Sequence, residues 1–185
     1  MGFFVRLILF LIPVKSLRKK ARMPVRTFMF GAQVRRKALR IGKGLRVRGN
    51  TTVTKKTSIG DYVSLGGVKI HGGGACTIGN YVHFGPDVLI LTQNHDYEST
   101  LLPYDHRLVF KDVVVEDAVW VGMRVTILPG TKIGEGAIIQ AGSVVHGEIP
   151  SCAIAGGNPA KVFAWRNKEH YEKLKAAGAY YRKDG

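Results

Sequence analysis

His71, His83 and His95 recur twelve residues apart, and the last of them stands between Asn94 and Asp96. Imidazole exchanges protons near neutral pH, so such residues suit acid–base work, and three of them together invite a metal-binding reading. Geometry separates the two, because ligands must converge whereas a base needs one ring facing its substrate. Nucleophilic catalysis has little to stand on. Cys76 and Cys152 are the only cysteines, neither lies beside a histidine in a nucleophile pattern, and no Ser–His constellation is visible. With nothing suggesting export, both thiols read as reduced, buried packing residues of a cytoplasmic chain.

The elements that must position these residues come from a repeat. Steps of six from Ile41 reach Val47, Val53, Ile59 and Leu65. After the glycine run Gly72, Gly73, Gly74 they resume at Ile78, Phe84 and Ile90. After a longer insertion they run unbroken through Val115, Val121, Ile127, Ile133, Ile139 and Val145. All fourteen positions are apolar, and in half of them glycine follows: Gly42, Gly60, Gly66, Gly79, Gly85, Gly122 and Gly134. Six is a multiple of two, so one residue of every hexad faces the same way on a strand, whereas a helical stripe of period 3.6 drifts out of phase. Glycine beside the inward aliphatic supplies a corner where a side chain would collide or φ must be unusual. Short strands joined by corners coil into a three-sided prism, three hexads per turn. A sandwich would instead give turn signals every 8–12 residues. The fold read is all-β, a single-stranded parallel β-helix solenoid. On it a step of twelve lands on a different face, so the three histidines do not converge and no metal is expected.

The unbroken repeat, with the closing run Gly156-Gly157-Asn158-Pro159-Ala160-Lys161, resembles the hexapeptide-repeat acyltransferases, in their sugar O-acetyltransferase branch. The resemblance covers residues from about 41 to 163. It implies a left-handed prism, against the usual right-handed crossover, with acetyl-CoA as acyl donor. It also implies a homotrimer with CoA lying in the groove between neighbouring prisms. Val119, Val125 and Leu128 are read as extra apolar surface for that assembly. Trimeric γ-class carbonic anhydrases share the fold and bind zinc, but their close histidine pair has no counterpart here.

The period fails across an insertion, residues 92–112, that opens on Asn94-His95-Asp96. The family carries its catalytic histidine at this point, so the resemblance assigns the general base to His95. A neutral imidazole would take the proton of an acceptor hydroxyl as the oxygen attacks the thioester carbonyl. The family often orients the acceptor with an acid or amide on a preceding coil, where this chain has Gly73. His71 and Asp96 are candidates to replace that group, with Asn94 beside them. For CoA, Gly122, Ala141 and Gly142 allow close backbone approach, and Trp120 matches the aromatic that flanks the thiol end. Lys161 and Arg166 fall where cations would meet the nucleotide phosphates, although Ala164 stands where the family has another base.

Charge separates the chain into two unequal parts. Residues 1–60 hold 16 Lys and Arg and no acid, while residues 61–185 hold 12 bases and 13 acids. An acid-free stretch of this length favours an anionic partner. Aromatic residues are not interleaved with the bases, so no stacking platform for nucleic acid is expected. The apolar run Phe3–Ile12 is shorter than the ~20 residues a bilayer span needs, and it lacks the basic start and cleavage site of a signal peptide. An apolar segment followed by bases is a two-signal recipe for peripheral attachment through residues 1–22. Three parts are thus expected: a basic, apolar and helical segment 1–40, the solenoid 41–163, and a C-terminal helix within 164–185. The function expected is acetyl-CoA-dependent O-acetylation of a sugar hydroxyl in a bacterial surface polysaccharide or its precursor. The location expected is the cytoplasm, in contact with the inner face of the membrane. Acylation of an amine (on an amino sugar, serine or an antibiotic) is the second reading, and a non-catalytic binding solenoid the third.

Overall fold

The computed structural model describes residues 27–181, and its body is a left-handed prism with three parallel sheets for faces. The first face stacks six strands in register, so that Ile41, Ile59, Ile78, Val115, Ile133 and Ile149 form one inward column. On the second face the column is Val47, Leu65, Phe84, Val121, Ile139 and Ala155. The third face stacks Ile70, Ile90, Ile127 and Val145. Ile70, Ile149 and Ala155 extend the columns beyond the sequence frame. Ile70 belongs where the frame lapsed, the glycine run being a widened corner rather than a missing face.

Each face carries a second inward position two residues upstream, and this corrects the reading of the outer surface. Val119 and Val125 are 1% and 0% exposed, in the core with Val63, Val82 and Ala137. Period two puts them on the same side as Val121 and Ile127, so they offer nothing to a partner. Burying a Val or Ile side chain stabilises by about 1.5–3 kcal/mol, and these columns are the main source of the fold's stability.

The corners separate two roles that the sequence left joined. The repeat glycines are needed because coils touch there: a Cβ on Gly85 would sit 2.7 Å from the Met123 nitrogen of the next coil. The left-handed φ falls two residues later, and it is held by Tyr62, Tyr81, Ala118 and Cys152 as well as by glycine. Side chains tie successive coils at the same corner. Asp61 Oδ1 accepts from the Lys43 N–H, Asn80 Oδ1 from that of Asp61, and Asp117 Oδ1 from that of Asn80, at 2.7–2.9 Å.

One helix closes the N-terminal end, and another runs along the corner between the first and second faces. A helix over residues 27–37 lays Val34 (fully buried) and Phe30 against the first coil, with Ala38 packed just beyond its end. At the other end the run Gly156-Gly157-Asn158-Pro159 turns the chain into an antiparallel hairpin, Ala153–Gly157 with Ala160–Trp165. Helix Lys168–Ala176 follows, capped by the Asn167 side chain, with Gly178 at φ +62° just beyond it. The expected attachment segment 1–22 lies outside the described residues, and no described helix is long and apolar enough to cross a membrane.

Candidate active site

The insertion leaves the prism at the corner between the third and first faces. Its ends pair as an antiparallel ribbon, Gln93–His95 with Leu108–Phe110, which sets His95 opposite Leu108. Beyond the ribbon the loop closes on Asp105. That carboxylate is buried and accepts from the Arg107 N–H at 2.7 Å and the Thr100 hydroxyl at 3.1 Å, while Arg107 Nε lies 3.1 Å away. Hydrogen bonding from Arg107, ahead of that from Thr100, holds the carboxyl down to about 2 against the counteracting effect of burial. The adjacent Tyr104 ring stacks on the His95 imidazole, 3.8 Å between centroids and 19° between planes.

His95 is exposed and faces a cleft of about 350 Å³. Asn94 and Asp96 line it. Lys111, Leu128, Pro129 and His146 line it too, the last three from later coils at the same corner. Sequence reasoning missed these four. Lys111 ends the insertion and His146 follows the inward Val145, so the 18-residue turn was the available signal for both. His71 is exposed at the end of its third-face strand, outside the lining of this cleft. The Phe110 ring lies over Gly73, where a Cβ would meet the ring's Cδ1 at 2.9 Å. The place where the family often carries an acid or amide is thus covered by an aromatic.

The other site residues fall into two groups. Gly122, Ala141 and Gly142 meet at the corner between the second and third faces, with the Ala141 nitrogen 2.5 Å from a Cβ built on Gly122 and open space around Gly142. Lys161 pairs with Gly156 near that edge. Trp120 lies outward on the second face, 56% exposed, beside His83 and Ile138. With Arg166, Tyr180 and Tyr181 it lines a groove of about 350 Å³ under the C-terminal helix. Arg166 donates from Nε to the Gly136 carbonyl at 2.6 Å, and its guanidinium lies over Tyr171, whose hydroxyl reaches Glu135 at 3.0 Å. Five residue steps of extended strand separate Lys161 from Arg166, about 16 Å, so the two cations do not form one cluster. The three histidines occupy different sheets. Among the described residues no three His, Cys, Asp or Glu side chains gather at a metal-binding distance. Cys76 and Cys152 are buried, and burial pushes the Cys76 thiol up to about 12.

A left-handed β-helix wound on a six-residue repeat defines the class of hexapeptide transferases, and comparison with known proteins agrees. Residues 112–147 match the family model described as bacterial transferase hexapeptide (six repeats). The chain is 34% identical over 140 residues to Escherichia coli WbbJ, named for O-acetyl transfer in lipopolysaccharide biosynthesis, covering 69% of each chain. It is 39% identical over 82 residues to Bacillus subtilis YvoF, named as an acetyltransferase, covering 43% of this chain and 47% of that one. The match thus spans about half the length of YvoF. The Vibrio cholerae hexapeptide-repeat acetyltransferase VCA0836, solved with acetyl-CoA, superposes with a TM-score of 0.63 at 25% identity, covering 88% of this chain and 83% of that one. The chain belongs to the hexapeptide-repeat acyltransferase family.

Proposed function

We propose that the protein transfers an acetyl group from acetyl-CoA to a sugar hydroxyl of a bacterial surface polysaccharide or its precursor. The observation that carries this is the placement of His95, in a chain of this family, at the mouth of a cleft and packed by Tyr104. The neutral imidazole accepts the hydroxyl proton while the acceptor oxygen bonds to the thioester carbonyl carbon. The tetrahedral adduct collapses, the carbon–sulfur bond breaks, and the CoA thiolate takes the proton back. The imidazole ends as it began, and no acyl-enzyme forms. Asn94 and Asp96, which line the cleft, orient the acceptor, and the kinship with WbbJ supports a saccharide in that role.

We also propose that the working unit is a homotrimer. His95 stands at the third–first corner, while Gly122, Ala141 and Gly142 lie at the second–third corner, with a whole face between. A neighbouring prism that brings its second–third corner to the first prism's loop would complete the site. Lys161 then serves the donor's phosphates, and Trp120 its thiol end. Arg166 has a second occupation in holding Gly136, so its part in phosphate binding is the least direct. Residues 1–22 are proposed to hold the enzyme at the inner face of the membrane.

His95→Ala tests the chemistry. We expect turnover of acetyl-CoA with a saccharide acceptor to fall about 10²–10⁴-fold, with the melting temperature and CoA affinity unchanged. Turnover within threefold of the parent would remove His95 from its role. Offering an amino sugar beside the neutral saccharide separates O- from N-transfer.

A further inference from the structure

The first coil of the prism is encircled by cations. Arg40 stands on the first face, Lys43 at the next corner, Arg46 and Arg48 along the second face, and Lys55 and Lys56 at the third–first corner, all exposed. The helix that caps this coil adds Arg35, Arg36 and Lys37, also exposed. No carboxylate occurs among residues 27–60, whereas the rest of the prism and the C-terminal segment are close to neutral. Apolar side chains project at the same end: Phe28 is 76% exposed and Leu39 71%. A groove of about 550 Å³ runs between the helix and the coil, lined by Phe28, Ala32, Arg35, Arg46 and Arg48.

We infer that this end of the prism docks on an anionic lipid surface, as a contact made by residues 28–56 and separate from residues 1–22. Charge complementarity selects the partner. Cations on all three sides of one coil, around an apolar tip, match a plane of anionic headgroups over hydrocarbon. A nucleic-acid groove would instead want cations aligned with aromatic faces between them. Coils in parallel register stack about 4.8 Å apart, so the loop bearing His95, two coils along, stands about 10 Å above the collar. That height suits a saccharide carried on a membrane lipid, a substrate class that rests on the acyl-transfer reading; the docking itself does not.

The test uses the full chain and vesicles of phosphatidylcholine, alone or with roughly one-third phosphatidylglycerol. Arg46→Gln, Arg48→Gln, Lys55→Gln and Lys56→Gln are combined in one variant, at exposed positions away from both candidate sites. We expect about 1,000-fold weaker partitioning onto the anionic vesicles than the parent shows. We also expect the parent's binding to fade near 1 M salt, where the screening length is about 3 Å. Phe28→Trp reports orientation: brominated lipid should quench this residue and leave Trp120 and Trp165 bright. Three results overturn the inference: equal partitioning by parent and variant, equal binding to neutral vesicles, or quenching of Trp120 and Trp165 instead of position 28. Loss of duplex-DNA binding in the variant with vesicle binding intact would give the surface to nucleic acid, and overturns it too. Turnover of a soluble saccharide, measured alongside, should be equal in parent and variant. A parent that fails to turn over refutes the acyl-transfer reading and leaves the docking result standing.

Discussion

Removing the ring beneath His95 tests whether the proposed base is held or merely present. The imidazole is exposed, and its contact with Tyr104 is a near-parallel stack at 3.8 Å. Aromatic pairs of this kind contribute about 0.5–1.5 kcal/mol beyond their buried area. If that energy selects the productive rotamer of His95, its loss spreads the ring over alternatives and leaves about one-third to one-tenth of the molecules competent, because 1.4 kcal/mol is about tenfold. Tyr104→Ala should therefore lower kcat about 3–10-fold. Tyr104→Phe keeps a ring in the same place and should run near the parental rate. KM for acetyl-CoA should not move, since the residues proposed to hold the donor lie on another corner. Free thiol released at saturating donor and acceptor measures kcat, and thermal melting by circular dichroism checks the fold. An alanine variant at the parental rate would refute the reasoning. So would a phenylalanine variant as slow as alanine, which would make the phenol oxygen the group that matters.

Three further outcomes follow from the same geometry. The folded Asp105 carboxyl lies at about 2, below its ordinary 3.8, so its stabilisation of the loop is fully present above that ordinary value. It is lost as pH falls through about 2, and one-dimensional NMR of the loop tyrosines should show the loop holding at pH 4 and loosening towards pH 2. Gly85→Ala puts a methyl group 2.7 Å from a backbone nitrogen in the next coil and should cost about 1–3 kcal/mol in urea unfolding; an unchanged midpoint would mean that the coils part freely. Lys161→Ala should raise KM for acetyl-CoA about tenfold at constant melting temperature, and Arg166→Ala should lower the melting temperature because it frees the Gly136 carbonyl; reversed outcomes would exchange their roles.

The solenoid was readable because its physics is local and repeated. One inward aliphatic per hexad is enough to reveal the prism, since each error in frame is corrected six residues later. The second inward position was less legible. Leu45, Val63, Val82, Val119 and Ala137 share a column, but the third face mixes Thr51 and Ser143 with Val68, Val88 and Val125, which hides the pattern. The corner glycines were seen, yet sequence could not say whether φ or contact required them. The structure shows contact, and it assigns the left-handed conformation to positions occupied by Tyr62 and Arg124. A spacing of two residues separates the position where a side chain has no room from the one where the backbone has turned.

The candidate site was legible only at one residue. His95 was read from the resemblance, in the insertion where the repeat stops, and the structure sets it facing a cleft. Its neighbours depend on how a 21-residue loop folds back, and no period governs that. Phe110 over Gly73 is the clearest case. The sequence shows a vacancy where an acid or amide would stand, whereas the fold shows an aromatic from the far end of the loop in that space. An acid introduced at position 73 would strike the Phe110 ring before it reached an acceptor. On the proposed reading, acceptor selection in this chain comes from the loop, Lys111 included, and from His146, which shares the cleft with His95. Substitutions there should change which saccharide is used, while those at Gly122, Ala141 and Lys161 should change only the use of the donor.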